Sequence, residues 1–196
     1  MKDTGTTFRP ATREDSRRIA ELFRIASGGV ADYVWSLLEP EYPGLTRIEI
    51  GEQRYARQNT DFSYENCAVA ERAGAVIGMT HGYRMGEPEP EDDDEAPDPV
   101  LEPYTNLEAP GSFYISSMAV LPQHRGGGLG TRMLEISSAR ARELGLSELS
   151  LIAFEQNEGA VRLYERNGFQ VVDRVAVVPH AFIRYTGDAL LMVSEV

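Results

Sequence analysis

Four glycines fall within five positions in Arg125-Gly126-Gly127-Gly128-Leu129-Gly130. The cluster follows an apolar run, Phe113 to Leu121, that reads as a strand. It precedes Thr131 to Leu144, which reads as an amphipathic helix. A glycine-rich turn from strand to helix leaves backbone N–H groups pointing outward with no side chains in the way. The helix macrodipole adds partial positive charge at the same point. Such a turn holds phosphate, and several nucleotide-binding designs use one. A Walker A loop needs a lysine after its last glycine, and none is present. A dinucleotide fingerprint needs Gly-x-Gly-x-x-Gly/Ala directly after a strand. Gly126 and Gly128 fit, but Thr131 takes the third position and Pro122-Gln123-His124-Arg125 intervenes. Glu155, at the end of the next strand, could imitate the ribose-binding acid of that fold, so the dinucleotide alternative stays open.

The elements that must position this turn alternate along the chain. Thr6 to Arg9 reads as a short strand. Thr12 with Asp15 three residues on reads as a helix start. Ile19, Leu22, Phe23 and Ala26 recur at helical spacing up to Gly28-Gly29. Val30 to Leu38 and Ile48 to Gln58 read as two further helical pieces. Asn66 to Glu71 and Ala75 to Arg84 read as strands joined by a tight turn at Arg72-Ala73-Gly74. Val100 to Leu107 suits a short helical turn. Beyond the glycine helix and its stop at Gly145 come a strand, Leu149 to Phe154, and a helix, Asn157 to Arg166. Two last strands follow, Phe169 to Val178 and Ala189 to Val193. This is an α/β pattern with a mixed sheet, read as one domain over 1–196 with no repeat and no dividing linker.

Val120-Leu121-Pro122-Gln123-His124-Arg125-Gly126-Gly127-Gly128-Leu129-Gly130 resembles the acyl-CoA motif of the GNAT superfamily of N-acetyltransferases. Its core, Arg/Gln-x-x-Gly-x-Gly/Ala, is met by Arg125, Gly128 and Gly130. A second segment, Asn157 to Phe169, is similar to that family's Asn-x-x-Ala-x-x-Leu-Tyr-x-x-x-Gly-Phe, through Asn157, Ala160, Leu163, Tyr164, Gly168 and Phe169. The two stand in the family's order, one helix and one strand apart. The resemblance implies a mixed, mostly antiparallel central sheet, flanked by helices and splayed between strands four and five, here Ser112 to Leu121 and Leu149 to Phe154.

It also implies a function and a set of site residues. The expected reaction moves an acetyl group from acetyl-CoA to a primary amine of a small-molecule or peptidic acceptor, by direct attack in a ternary complex and without a metal. Amides around Arg125, Gly126, Gly127, Gly128, Leu129, Gly130 and Thr131 would hold the CoA pyrophosphate. The backbone of Met118, Ala119 and Val120 would pair with the pantetheine arm as an added strand does. An N–H near Met118 or Ala119 would steady the thioester oxygen as it gains charge. Asn157 and Tyr164 lie seven apart on one helical face. Asn157 would contact CoA, or serve as a helix cap, and the two are compatible. Tyr164 would reprotonate the leaving thiolate, or merely pack. The general base stays unassigned. The fourth strand offers Tyr114, Ser116 and Ser117 and no glutamate, while His81 on the third strand and Glu108 are further candidates. A catalytically silent acyl-CoA sensor on the same fold is the alternative.

Charge and composition narrow the partners. Residues 86–110 carry ten acids, six prolines and no Lys or Arg, and so account for most of the net charge of −12. Prolines and like charges keep such an insertion extended, and Gly86 to Pro99 reads as a mobile loop. An acidic face repels nucleic acid and would steer a cationic acceptor inward. Tyr33, Trp35 and Tyr42 are candidates for pocket aromatics or for core. No apolar run approaches the roughly 20 residues of a membrane span. Met1 to Gly5 carries no apolar leader, and the single Cys67 reads as a small buried hydrophobe, so a cytoplasmic setting is expected. The resemblance is compatible with a homodimer.

Overall fold

Short-range polar contacts set the first boundaries. The computed structural model describes residues 5–87 and 97–196. In it the Asp15 carboxylate accepts from the Thr12 backbone N–H at 2.8 Å and from the Thr12 hydroxyl at 3.2 Å, which opens a 3-10 turn, Arg13–Asp15. Arg9 grips the same carboxylate at 2.7 Å and Glu71 at 2.8 Å. Its guanidinium holds the Asp15 carboxyl below the usual range.

The elements are β1 (Thr6–Pro10), α1 (Ser16–Ala26), α2 (Val30–Leu37), α3 (Arg47–Tyr55), β2 (Cys67–Arg72), β3 (Ala75–Arg84), α4 (Glu102–Thr105), β4 (Phe113–Val120), α5 (Leu129–Glu143), β5 (Glu148–Phe154), α6 (Glu158–Arg166), β6 (Gln170–Ala176) and β7 (Asp188–Glu195). The strands join in the order β1-β2-β3-β4-β5-β7-β6. The pairs β1–β2, β2–β3, β5–β7 and β6–β7 are antiparallel, and β4–β5 is parallel. This is the mixed, mostly antiparallel α/β sheet expected. The parallel pairing joins Phe113 to Leu149 and Tyr114 to Ser150.

The chain divides into two compact units, residues through 82 with 117–136, and residues 83–116 with 137–196. The first has a core of Ile19 and Leu22 from α1, Trp35 from α2, Ile50 and Tyr55 from α3, Val69 from β2 and Met79 from β3. Trp35 is 3% exposed, and a Cβ on Gly51 would fall 2.5 Å from its ring, so the glycine is what lets the indole lie against α3. Trp35 is therefore core, not an open pocket wall. Gly78 does the same for β4. A Cβ there would meet the Ala119 carbonyl oxygen at 2.8 Å and Met133 Cε at 2.7 Å. Leu129 and Met133 of α5 cluster with Ala70 and Ile77, which seats the start of that helix on the strands.

In the second unit the Ser112 and Ser150 hydroxyls, both fully buried, bond each other at 2.6 Å where the parallel pairing begins. Phe154, ending β5, stacks on Tyr185 at 4.6 Å and meets Tyr104 of α4 edge-on at 6.0 Å.

Several boundaries differ from the sequence reading. The glycine helix starts at Leu129 rather than Thr131, because the Gly128 carbonyl already accepts from Arg132 N–H at 3.1 Å. The last strand extends to Asp188–Glu195, held along its length by β5. Pro122–His124 forms a 3-10 turn between β4 and the glycines. Most of the acidic loop read at Gly86 to Pro99 lies outside the described residues.

Candidate functional site

The first unit holds the glycine turn and the end of β4 together. Gly126 and Gly128 have φ of +82° and +81°, a region L side chains rarely adopt, and a Cβ at either would meet nothing within 4 Å. Glycine is thus demanded by backbone angle, not by crowding. Arg132 closes the first helical bond on Gly128, so the amides of Gly128, Leu129, Gly130 and Thr131 precede any intrahelical partner. Among the described residues no backbone carbonyl accepts from Gly126 or Gly127. Six successive amides, Gly126 to Thr131, are therefore left to an outside acceptor at the positive end of a helix of 15 residues. Arg125 does not aim its whole side chain outward: its Nε donates to the Val120 carbonyl at 2.9 Å, bracing the turn against β4.

Burial alternates strictly along β4. Ser117 and Ala119 are buried while Met118 and Val120 are half-buried. Met118 and Val120 pack beside Leu129 and Met133, and Ala119 packs in the α1–α3 core. The Ser117 hydroxyl is buried with no hydrogen-bond partner, directly ahead of Met118. The sequence showed a serine there but not that its hydroxyl is left unspent.

Asn157 and Tyr164 belong to the second unit. Asn157 stands at the N-cap position of α6, yet its side chain makes no capping hydrogen bond. Tyr164 is 8% exposed and its ring lies 5.8 Å from Phe169. Burial pushes its phenol up to about 12, so at neutral pH it is a protonated donor. The motif glycine Gly168 has φ +92° and turns the chain from α6 back to Phe169.

The remaining base candidates separate by environment. His81 is fully buried between Tyr55 and Phe62, with ring centroids 5.5 and 5.4 Å away. Its Nε2 lies 2.9 Å from the Asp61 carbonyl, which can only accept, so Nε2 carries the proton. Burial pulls its pKa down to about 4. His81 is a core histidine. Glu108 is exposed. Cys67 is buried with its Sγ 3.5 Å from the Ser63 carbonyl, and burial pushes its thiol up. Among the described residues no group of three or more His, Cys, Asp or Glu is gathered as metal ligands would be, and no helix is long and apolar enough to cross a membrane.

The fold is a mixed, mostly antiparallel α/β sheet with a glycine turn and a helix after its fourth strand. The sequence model of the Acetyltransferase (GNAT) family matches residues 31–169. The chain belongs to that family. Mycothiol acetyltransferase of Geodermatophilus obscurus is 40% identical over 62 residues, which is 32% of this chain and 20% of that protein. The chain thus spans about a fifth of the length of that curated relative. Among solved structures, an N-acetyltransferase from Staphylococcus aureus Mu50 superimposes with TM-score 0.64 at 20% identity, covering 95% of this chain and 99% of the other. A GNAT family acetyltransferase from Elizabethkingia anophelis with acetyl-CoA bound gives TM-score 0.59 at 15% identity, covering 99% and 100%. These two likenesses speak to the fold.

Proposed function

We propose that the protein is an N-acetyltransferase that moves an acetyl group from acetyl-CoA to a primary amine of a small-molecule or peptidic acceptor, by direct attack in a ternary complex. The observation that carries this reading is the run of open amides from Gly126 to Thr131 at the head of α5, fixed by positive φ at Gly126 and Gly128, in a chain of the GNAT family. Those amides, with Arg125 bracing the loop, suit a pyrophosphate. Met118, Ala119 and Val120 offer main-chain groups to the pantetheine amides, and the Val120 carbonyl divides its capacity with Arg125 Nε. A backbone N–H near Met118 or Ala119 steadies the thioester oxygen as it becomes negative.

The amine must arrive neutral and the departing thiolate must regain a proton. Tyr164 suits the second task. Its phenol is protonated at neutral pH and can donate to a thiolate formed beside it. Asn157, free of capping duty, contacts the cosubstrate from the same helix. With His81 sealed in the core, the amine proton goes to water or to Glu108. The ten acids of residues 86–110 favour a cationic acceptor.

Thermal unfolding with acetyl-CoA, CoA, NAD and ATP, followed by thiol release over a panel of amines, tests the reading. A ligand at ~100 times its dissociation constant stabilises by roughly 2.7 kcal/mol. The expected result is a rise in Tm with both CoA species and not with NAD or ATP, and thiol release that depends on an amine. A shift with NAD alone overturns the reading. Binding with no release across the panel makes the chain a silent acyl-CoA binder instead.

A further inference from the structure

Arg72 closes β2, and His124 closes the 3-10 turn that leads into the glycines. The first unit brings them together, with Arg72 Nη1 3.3 Å from His124 Nδ1. A guanidinium can only donate, so Nδ1 must accept and the ring proton must sit on Nε2. Arg72 is anchored from its other side as well, its Nε donating to Thr6 Oγ1 at 3.1 Å, across a register that sets Thr6 opposite Arg72. His124 is itself fixed by its N–H to the Leu121 carbonyl at 2.9 Å. It stands two positions before Gly126, with only Arg125 between, so its Cα lies within about 7 Å of that glycine's.

We propose that Arg72 and His124 form a second anion subsite beside the glycine turn, and that it takes the 3′-phosphate on the ribose of coenzyme A. The inference rests on the acyl-CoA reading above. The two phosphate groups differ in what they need. A pyrophosphate diester is bridged at both ends and is satisfied by neutral amides at a helix terminus. A phosphate monoester carries nearly two charges at neutral pH and calls for a planar guanidinium with an added N–H donor. In a chain of net charge −12, a ligand with that many charges needs local positive charge where its last phosphate lies. One ribose separates the two groups in the ligand, as one short turn separates His124 from the amides here. His124 thus fixes the direction of the guanidinium and contributes its own Nε2–H.

Calorimetric titration of the full chain with CoA and with 3′-dephospho-CoA tests this, because the two ligands differ only in that group. The unaltered protein is expected to bind CoA at least ~10-fold more tightly, a difference of about 1.4 kcal/mol. Arg72→Ala and His124→Ala should each bring the ratio towards one by weakening CoA while leaving dephospho-CoA unchanged, and Arg72→Lys should keep part of the preference. A ratio near one in the unaltered protein, or an unchanged ratio in both alanine variants, overturns the subsite. If Arg72→Ala loses both nucleotides alike through damage to β2, His124→Ala decides, because it lies outside the strand: a ratio that stays put there overturns the subsite. Failure of the unaltered protein to bind either nucleotide overturns the acyl-CoA reading itself, which is a different result.

Discussion

The glycine turn of the first unit and the tyrosine helix of the second are built on opposite principles. At the turn the proposed chemistry is all backbone. Gly126, Gly127 and Gly128 are exposed, and what matters is that their φ angles set amides in a row. At α6 the proposed chemistry is one side chain, and what matters is its surroundings. Tyr164 is 8% exposed, and that burial holds its proton on to about 12. A backbone site is therefore destroyed by any side chain that forbids the angle. A side-chain site survives isosteric trimming in every respect except the atom removed.

Tyr164→Phe exploits that difference most sharply. It removes one oxygen and keeps the packing on Phe169. If the phenol donates to the thiolate, kcat should fall by ~10²–10⁴-fold, the usual contribution of a positioned acid. The affinity for acetyl-CoA should hardly move. The unaltered enzyme should show no loss of rate on Tyr164's account between about pH 8 and 10, because its proton is retained well past an ordinary tyrosine's range. Steady-state kinetics over that range, with a titration of acetyl-CoA, decides it, and an unchanged kcat removes Tyr164 from the chemistry. Gly128→Val is the mirror experiment. A β-branched residue cannot sit at φ +81° without strain of about 1–3 kcal/mol, so the amides should swing out of line. The expected outcome is roughly 100-fold weaker acetyl-CoA binding, about 2.7 kcal/mol, with folding largely kept. Retained affinity would break the idea that the turn acts through its backbone.

The same contrast explains what could be read from the letters alone. Gly126 and Gly128 declare themselves in sequence because positive φ has one residue type that takes it without cost, and the spacing of glycines is the spacing of the angles. Tyr164 could be placed by its motif, but not its protonation, which depends on how much of the ring solvent reaches. His81 shows the gap plainly. As a lone histidine on a strand it was compatible with a base, and only the packing of Tyr55 and Phe62 around it makes it core. The pairing of Arg72 with His124 joins residues 52 positions apart and has no local signal. Trp35 in sequence suits pocket or core alike, and the missing Cβ at Gly51, against which its ring lies, is what makes it core. Element boundaries shifted where a polar contact outweighed periodicity, as at Gly128, whose carbonyl starts the helix before the amphipathic pattern does.

His81 extends the comparison to a second buried ring with the opposite response. Burial disfavours the charged form in both, which raises the phenol and lowers the imidazole. The folded-state pKa of about 4 lies below the ordinary 6.5. Above 6.5 both states are neutral and nothing is lost. As pH falls from 6.5 to 4 the unfolded chain takes a proton that the folded one refuses, so stability declines, by about 1.4 kcal/mol per pH unit and roughly 3 kcal/mol in all. Urea unfolding at pH 7 and at pH 4.5 should show this, and His81→Gln should be distinctly less acid-sensitive while starting from a lower stability. Equal acid sensitivity in the two would place the pH dependence elsewhere, for instance at Asp15 with its Arg9 partner.

The smallest effect separates two buried hydroxyl environments. In the second unit Ser112 and Ser150 satisfy each other at 2.6 Å, just where β4 and β5 begin their short parallel contact. In the first, Ser117 Oγ on the same strand is buried and satisfies nothing. Ser150→Ala strands the Ser112 hydroxyl in a dry place and should cost about 1–3 kcal/mol. Ser117→Ala strands nothing, so its stability should stay within about 0.5 kcal/mol of the unaltered protein. Denaturant midpoints for the two variants measure the difference. The pair also sharpens where function lies on β4. A hydroxyl spent on its neighbour can only hold the strands, so Ser150→Ala should act through stability. The one ahead of Met118 keeps its hydrogen-bonding capacity unused. A drop in kcat/KM in Ser117→Ala at unchanged stability would put that hydroxyl in contact with substrate, and unchanged kinetics would make it a tolerated orphan of the strand.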